Sequence, residues 1–172
     1  MSLKTFGLSK LQQTLLGLAF LPSIAEVELQ ACAYELRNKS RDMAPIDHGD
    51  LKRAIQAQRR GSGIRNAKGH FVSGSSTWVV YVNNNTSVTD PEKIDEGITK
   101  VGQYAWEVHE HMGWASRPNR RLMPSLDSIR AGAAKGVEAG GKYMERASDL
   151  LMPQVNFRLE KVIKEYVNKL DI

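Results

Sequence analysis

Apolar residues recur at helical spacing towards both ends of the chain. Near the N-terminus, a period of three to four predicts one helix over residues 8–20 and a second over residues 23–43. Pro45 disfavours helical geometry at the residue before it, so the second helix should end there. Towards the C-terminus the same spacing predicts a long helix over residues 143–170, which Pro153 is expected to break or kink.

The middle of the chain carries the alternating pattern of β-strands instead. Thr77–Val82, with the sequence TWVVYV, is apolar on both faces and predicts a central strand. Residues 51–60 alternate in a way that suits a polar-edged strand, although a helix fits them too. Residues 98–110 contain a further strand pattern, in which Tyr104, Trp106 and Val108 lie on one face. Residues 61–74 are typical of a basic loop or hairpin tip.

This order of elements indicates an α+β fold. We expect an antiparallel sheet of about three to four strands, packed against the N-terminal helices and a long C-terminal helix. At 172 residues the chain is expected to form one domain over residues 1–172. A long excursion outside the core is predicted at about 113–141, where small residues dominate, with a short helix that opens at Pro124.

Composition gives the chain a modest basic character. The net charge is +5 and the isoelectric point is about 9.4, which is compatible with an acidic partner, although the charges are scattered. Some basic residues fall in predicted loops and are candidates for facing DNA or a protein partner: Arg65, Lys68, Arg117, Arg120 and Arg121. A sequence-independent nucleic-acid-binding protein is therefore an alternative hypothesis. No apolar run approaches the roughly 20 residues of a membrane span, so no membrane partner is expected.

Few residues suggest catalysis. On a strand, His109 and His111 would share a face, and a third ligand such as His48 or His70 would complete a zinc site, which leaves a zinc-dependent enzyme as a second alternative. The sequence contains no nucleophile elbow, phosphate-binding loop or dinucleotide fingerprint. Asp47 and Asp50 resemble turn residues more than an acid–base pair. We therefore predict no catalytic residue, no cofactor, no metal and no enzymatic activity.

Three segments of the chain together resemble one known family. The first runs over residues 44–55, with Ala-Pro-Ile, then Gly-x-Leu, then Ala-Ile. The second covers residues 104–110, with Tyr-Ala followed by Val-His-Glu, and the third covers residues 141–147, Gly-Lys-Tyr-Met-Glu-Arg-Ala. In this order they are similar to the signature of the minor tail-component proteins of tailed bacteriophages. The landmark residues of the resemblance are Pro45, Gly49, Leu51, Tyr104, His109, Glu110, Tyr143 and Arg146.

Members of this family are neck or tail-completion proteins, which join the phage head to the tail. The resemblance implies a non-enzymatic virion subunit that forms a homo-oligomeric ring around the DNA channel at the head–tail junction, after assembly in the host cytoplasm. It implies connector or adaptor proteins on one side, tail tube or tail terminator proteins on the other, and at most non-specific contact with packaged DNA. Ala54 departs from the family pattern, where serine is usual, and the excursion at 113–141 is long.

Overall fold

The structure is a computed structural model, and it describes residues 21–46, 49–61, 63–65, 67–68, 71–74, 77–114 and 122–170. For residues 63–65 and 71–74 the description is limited to the main chain. The chain packs into two compact units. One unit consists of Ala33–Gln58 and Val79–Met152, and the remaining described residues belong to the other. The expectation of one domain over residues 1–172 stays a prediction.

Helices make up most of the described chain. In chain order they are α1 (Leu21–Met43), α2 (Asp50–Ala54), α3 (Pro91–Asp95), a 3₁₀ turn (Val101–Gln103), α4 (Ala105–His111), α5 (Leu126–Ala133) and α6 (Tyr143–Lys169). The end of α1 at Met43 confirms the prediction from Pro45, and the long C-terminal helix is confirmed. Pro153 lies inside α6 without ending it. The predicted helix over residues 8–20 lies outside the described residues.

Four short strands are described, and they form two separate sheets. They are β1 (Ile55–Arg60), β2 (Gly63–Arg65), β3 (Phe71–Gly74) and β4 (Thr77–Val82). Strand β1 pairs with β4, while β2 pairs antiparallel with β3, with Gly63 opposite Gly74. The α+β class and the strand at Thr77–Val82 are confirmed. The sheet of three to four strands is wrong, because each sheet in the described chain has two strands.

The missing strand is explained by the second landmark segment, which is helical. The prediction placed Tyr104, Trp106 and Val108 on one face of a strand. Instead, the residues that pack into the core are Val101, Tyr104, Ala105 and Val108, at a spacing of three to four, whereas the side chain of Trp106 is 70% exposed. The segment therefore forms the 3₁₀ turn and α4, and the strand prediction for residues 98–110 is wrong.

The hydrophobic core of the Ala33–Gln58 and Val79–Met152 unit gathers residues from across that unit. It is formed by buried side chains that include Met43, Leu51, Ile55, Val101, Tyr104, Val137, Tyr143 and Ala147. Leu51 belongs to the short helix α2, and β1 starts only at Ile55. Residues 51–60 therefore contain both the helix and the strand that their sequence allowed. None of the described helices is long and apolar enough to cross a membrane.

Part of the segment expected to be an excursion belongs to this core. Val137 is buried within the core cluster, and Ala139 is 3% exposed. The short helix expected after Pro124 is α5, whose first turn is capped by the Ser125 hydroxyl, which accepts a 3.2 Å hydrogen bond from the amide of Ser128. The Gly113 amide donates a 2.7 Å hydrogen bond to the Leu122 carbonyl.

Candidate functional site

The first landmark segment forms a tight turn from α1 into α2. Gly49 adopts a left-handed conformation with φ of 79°, which glycine takes without steric penalty. Its carbonyl accepts a 3.0 Å hydrogen bond from the Arg53 amide at the start of α2. Leu51 is 1% exposed and anchors the turn in the core. Pro45, which follows the end of α1, lines a cavity described below.

Asp50 connects this turn to a distant loop. One carboxylate oxygen accepts hydrogen bonds from the Thr89 amide at 2.7 Å and the Asp90 amide at 3.3 Å, and the other accepts one from the Thr89 hydroxyl at 2.7 Å and pairs with Arg53. Burial opposes ionisation of Asp50, but the bonds from Thr89 and the charge of Arg53 outweigh it and lower the pKa of this carboxyl. The buried carboxylate of Asp50 thus holds the turn before α2 against the loop that contains Thr89 and Asp90, and we call this arrangement the Asp50 clamp.

The second landmark segment places its residues on α4 and in the turn before it. Tyr104 is 8% exposed, and its buried hydroxyl has no hydrogen-bond partner among the described residues. Burial, followed by the negative charges of Asp50 and Asp90, raises the pKa of Tyr104 to about 12. His109 and Glu110 lie in the last turn of α4, with Nδ1 of His109 2.8 Å from Oε1 of Glu110.

Two glycines, one just before the third landmark segment and one at its start, lie against other parts of the main chain. The Gly140 amide donates a 2.9 Å hydrogen bond to the Met43 carbonyl, and the Gly141 amide donates a 3.3 Å bond to the Gly113 carbonyl. A Cβ atom on Gly140 would lie 2.2 Å from the Gly113 carbonyl oxygen, and one on Gly141 would lie 2.1 Å from that of Met112. Only glycine therefore fits at these two positions without a shift of the main chain.

Lys142 then joins the third segment to the second at two points. Its amide donates a 2.7 Å hydrogen bond to the carbonyl of His109, and its Nζ lies 2.5 Å from Oε2 of Glu110. This ion pair lowers the pKa of Glu110 and raises the pKa of Lys142. Lys142 holds a φ of 53°, which is uncommon for a residue other than glycine and is here supported by both contacts.

The two remaining landmarks of the third segment are buried or half-buried. Tyr143 is fully buried, and its ring meets that of His109 edge to face, with centroids 5.0 Å apart. The guanidinium of Arg146 lies 4.6 Å from the centroid of the buried Trp114 ring, and its Nε donates a 3.0 Å hydrogen bond to the Gly141 carbonyl. Burial lowers the pKa of Arg146.

The three landmark segments thus meet within one compact unit. The second contacts the third through His109, Glu110, Lys142 and Tyr143, and Met43 and Gly140, which immediately precede the first and third segments, are hydrogen-bonded to each other. Leu51 of the first and Tyr104 of the second are members of the same core cluster. We take this junction of the three segments as the candidate functional site. Its contacts pack the segments together and align them with one another.

A cavity of about 210 Å³ lies beside the junction, between the first two segments and α5. It is lined by residues from each of these elements, including Pro45, Ile46, Leu51, Tyr104, Val108, Met123 and Ser128. The Ser128 hydroxyl accepts a 2.8 Å hydrogen bond from the Ile46 amide and donates a 3.1 Å bond to the Ile46 carbonyl. Ile46 is 37% exposed and Met123 45%, and we call these two lining residues the Ile46–Met123 patch.

The zinc site considered from the sequence does not fit this geometry. His109 and His111 lie on the helix α4, where side chains two residues apart point in nearly opposite directions, so the expectation that they share a face is wrong. His109 instead pairs with Glu110, and Nε2 of His111 lies 3.7 Å from Oε2 of Glu107. Across the part of the chain that is described, no three histidine, cysteine or acidic side chains form a metal-binding group. His48 and His70 lie outside that part.

Two of the basic candidates belong to the other compact unit, and the remaining three lie outside the described residues. Lys68 is exposed, and Arg65 is described by its main chain alone, as a residue of β2 that is paired with Phe71. Arg117, Arg120 and Arg121 lie outside the described residues, as does Asp47. Their proposed contact with DNA or a partner stays a prediction.

Sequence reasoning missed several residues of the site. It treated Asp50 as a local turn residue and gave no sign that Thr89, which lies 39 positions away, donates to it. The pair Gly140-Gly141 did carry a signal, because adjacent glycines mark a close approach of two backbones. Comparisons with protein-family models, with curated proteins and with solved structures found no match to this chain.

Proposed function

We propose that this protein is a structural subunit of the head–tail junction of a tailed bacteriophage, a neck or tail-completion protein that assembles as a ring around the DNA channel. Its partners would be further copies of the chain, connector or adaptor proteins on one side, and tail tube or tail terminator proteins on the other. Its location would be the virion, and it would not act as an enzyme.

The observation that carries this proposal is the mutual contact of the three family-like segments. These segments are separated by dozens of positions in the chain, and in the folded unit they lie together. The Lys142 amide bonds to the His109 carbonyl, and Leu51, Tyr104 and Tyr143, one from each segment, share one core. A signature that specifies a fold is expected to consist of residues that contact one another.

The exposed apolar residues beside the junction support assembly with other copies. The Ile46–Met123 patch borders the 210 Å³ cavity, which is lined mainly by apolar side chains and has no charged side chain among its described lining residues. Exposed apolar groups around a hollow are typical of protein–protein contacts, where an apolar side chain of the partner fills the hollow. In a ring, each subunit presents one such surface to a different surface of its neighbour.

This placement of the contact can be tested with two matched variants. Met123→Asp introduces a charge within the Ile46–Met123 patch, and burying that charge at an interface is unfavourable. Ile94→Asp makes the same kind of change on α3, where Ile94 is 46% exposed and Met123 is 45% exposed. We expect Met123→Asp to shift the purified protein from rings to monomers, measured by mass photometry, and Ile94→Asp to assemble like the wild type.

Two results would count against this proposal in different ways. Equal assembly of both variants would remove the Ile46–Met123 patch from the interface and leave the ring itself in place. A wild-type protein that stays monomeric, and that antibodies fail to detect at the head–tail junction of phage particles from the source genome, would exclude the proposed function as a whole.

A further inference from the structure

Trp106 is exposed on the side of α4 that faces away from the 210 Å³ cavity. Tyr104, Val108 and Met112 line that cavity. Trp106 lies two residues from both Tyr104 and Val108, and on a helix this separation turns a side chain to the nearly opposite side. Trp106 is 70% exposed. The Ala33–Gln58 and Val79–Met152 unit thus carries an exposed tryptophan and an apolar cavity on two different surfaces.

The surroundings of Trp106 are apolar as well. Val82 and Met144, which are both partly buried, line the same open hollow as Trp106, together with Ala105. Tryptophan is enriched among the few residues that carry most of the binding energy of a protein interface, and the contacts around it exclude water. An exposed tryptophan with apolar neighbours therefore has the properties of an interface anchor.

The 210 Å³ cavity has the size and the lining to receive an indole. A cavity of about 150 Å³ holds benzene, so the present volume leaves room for a larger ring system. Met112 and Met123 are among the lining residues, and flexible thioethers adapt to aromatic rings and contact them favourably. Ser125, also in the lining, is exposed, and its hydroxyl oxygen can accept the hydrogen bond that a buried indole N–H requires.

The charges beside the two surfaces favour a second copy of the chain as the occupant of the cavity. Glu107, next to Trp106, has a side chain that is 45% exposed. The helix α2, which supplies Leu51 to the cavity lining, carries two basic residues, Lys52 and Arg53, and one acid, Asp50. The exposed acid and base of α5 offset each other. Contact between two Trp106 surfaces would bring two acids together, whereas contact between a Trp106 surface and a cavity pairs unlike charges.

We propose that copies of this chain associate head to tail, with Trp106 of one copy inserted into the 210 Å³ cavity of the next. The inference rests on the proposed ring and names the second surface that the ring requires, since a closed ring joins two unlike surfaces of each subunit. A buried tryptophan covers about 150–250 Å², whereas a specific interface buries about 800 Å² on each partner. The inserted indole is therefore the centre of a larger contact, which includes the Ile46–Met123 patch.

The test mixes two variants that each lose one of the two surfaces. Trp106→Asp keeps the cavity, and Met123→Asp keeps the tryptophan. At a concentration at which the wild type is assembled, we expect each variant alone to be a monomer of 19.2 kDa. The equimolar mixture should give a dimer of twice that mass and no ring, because one intact tryptophan then meets one intact cavity. The measurement is size-exclusion chromatography with light scattering.

Two further variants serve as controls. Ile94→Asp, at an exposed position of α3, should form rings like the wild type. Trp106→Phe keeps an aromatic ring at the anchor position and should also assemble. Circular dichroism should give the same spectrum for all variants as for the wild type, since the changed residues are 45–70% exposed.

The possible results separate this contact from the proposed function. Wild-type rings, together with an aspartate variant at position 106 or 123 that assembles like the wild type, would overturn the contact and leave the ring in place. So would wild-type rings together with a mixture of the two aspartate variants that contains only monomers. A wild-type protein that is monomeric at every concentration would overturn both the ring and the contact.

Discussion

The ring of His109 meets the ring of Tyr143 edge to face, with centroids 5.0 Å apart, at the point where α4 ends and α6 begins. His109 belongs to the second landmark segment and Tyr143 to the third. A main-chain hydrogen bond joins the same two segments, since the amide of Lys142 donates to the carbonyl of His109 at 2.7 Å. The start of the long C-terminal helix is thus fixed against α4 by ring contact, hydrogen bond and ion pair together.

The close approach of the third segment to its neighbours predicts a large effect of one methyl group. We expect Gly141→Ala to lower the free energy of unfolding by more than about 3 kcal/mol, because its Cβ would lie 2.1 Å from the Met112 carbonyl oxygen and the main chain would have to move. The measurement is urea unfolding followed by circular dichroism.

Gly136→Ala serves as the control for this substitution. Gly136 has a φ of 66° and nothing within 4 Å of an added Cβ, so we expect a loss of only about 1 kcal/mol from backbone strain. If the two variants lost equal stability, the tight contact between Gly141 and Met112 would have no energetic importance.

The clamp made by Asp50 predicts an acid-sensitive contribution to stability. Asp50→Asn should lower the free energy of unfolding by about 1–3 kcal/mol at pH 7, because the charged acceptor of the Thr89 and Asp90 donors is lost. Asp95→Asn, an exposed change on α3, should have little effect.

The direction of the pH effect follows from the lowered pKa of Asp50 in the folded protein. Its contribution is complete above the pKa of the unfolded chain, about 3.9, and is lost as the pH falls through the folded pKa. The stability difference between the wild type and Asp50→Asn should therefore shrink from pH 5 towards pH 2. A difference that stayed constant over this range would contradict an ionised clamp.

The two buried tyrosines predict a loss of stability in alkali. Burial raises the pKa of Tyr104 to about 12 and also raises that of Tyr143, whereas tyrosine in the unfolded chain ionises near pH 10. The contribution of these two tyrosines to stability should be constant below pH 10, and stability should fall as the pH rises from about 10 towards 12, because only the unfolded chain releases these protons easily.

Phenylalanine at position 104 tests this directly. Tyr104→Phe removes a buried hydroxyl for which the described part of the chain offers no hydrogen-bond partner, so we expect it to be neutral or to stabilise the protein by up to about 1 kcal/mol at pH 7. Its stability should also fall less steeply above pH 10 than that of the wild type. A clear destabilisation at pH 7 would show that the hydroxyl makes a favourable interaction in solution.

The parts of the fold set by local pattern were predictable from the sequence. Pro45 marks the end of α1 because proline restricts the residue before it, and Thr77–Val82 forms a strand because β-branched and aromatic residues suit one. The helical structure of the second landmark segment was not predictable, because the positions of Tyr104 and Val108 are compatible with both the helical and the strand periodicity. The exposure of Trp106 resolves the ambiguity in favour of a helix, and exposure depends on the complete fold.

The site itself depends on contacts between residues far apart in the chain. The order of the three segments suggested a shared fold, but the pairing of Lys142 with His109 and Glu110 joins residues over 30 positions apart. The same holds for Asp50 and Thr89. No local propensity encodes such contacts, because they form only when α2, α4 and α6 have packed around a common core.

Direct imaging of the assembled protein tests the central claim best. Purified full-length protein should form closed rings of uniform copy number around a central channel in electron micrographs, with a matching single mass by mass photometry. Gold-labelled antibodies should mark the head–tail junction of phage particles from the source genome. Monomers at every concentration, together with particles that carry no label at that junction, would contradict the account.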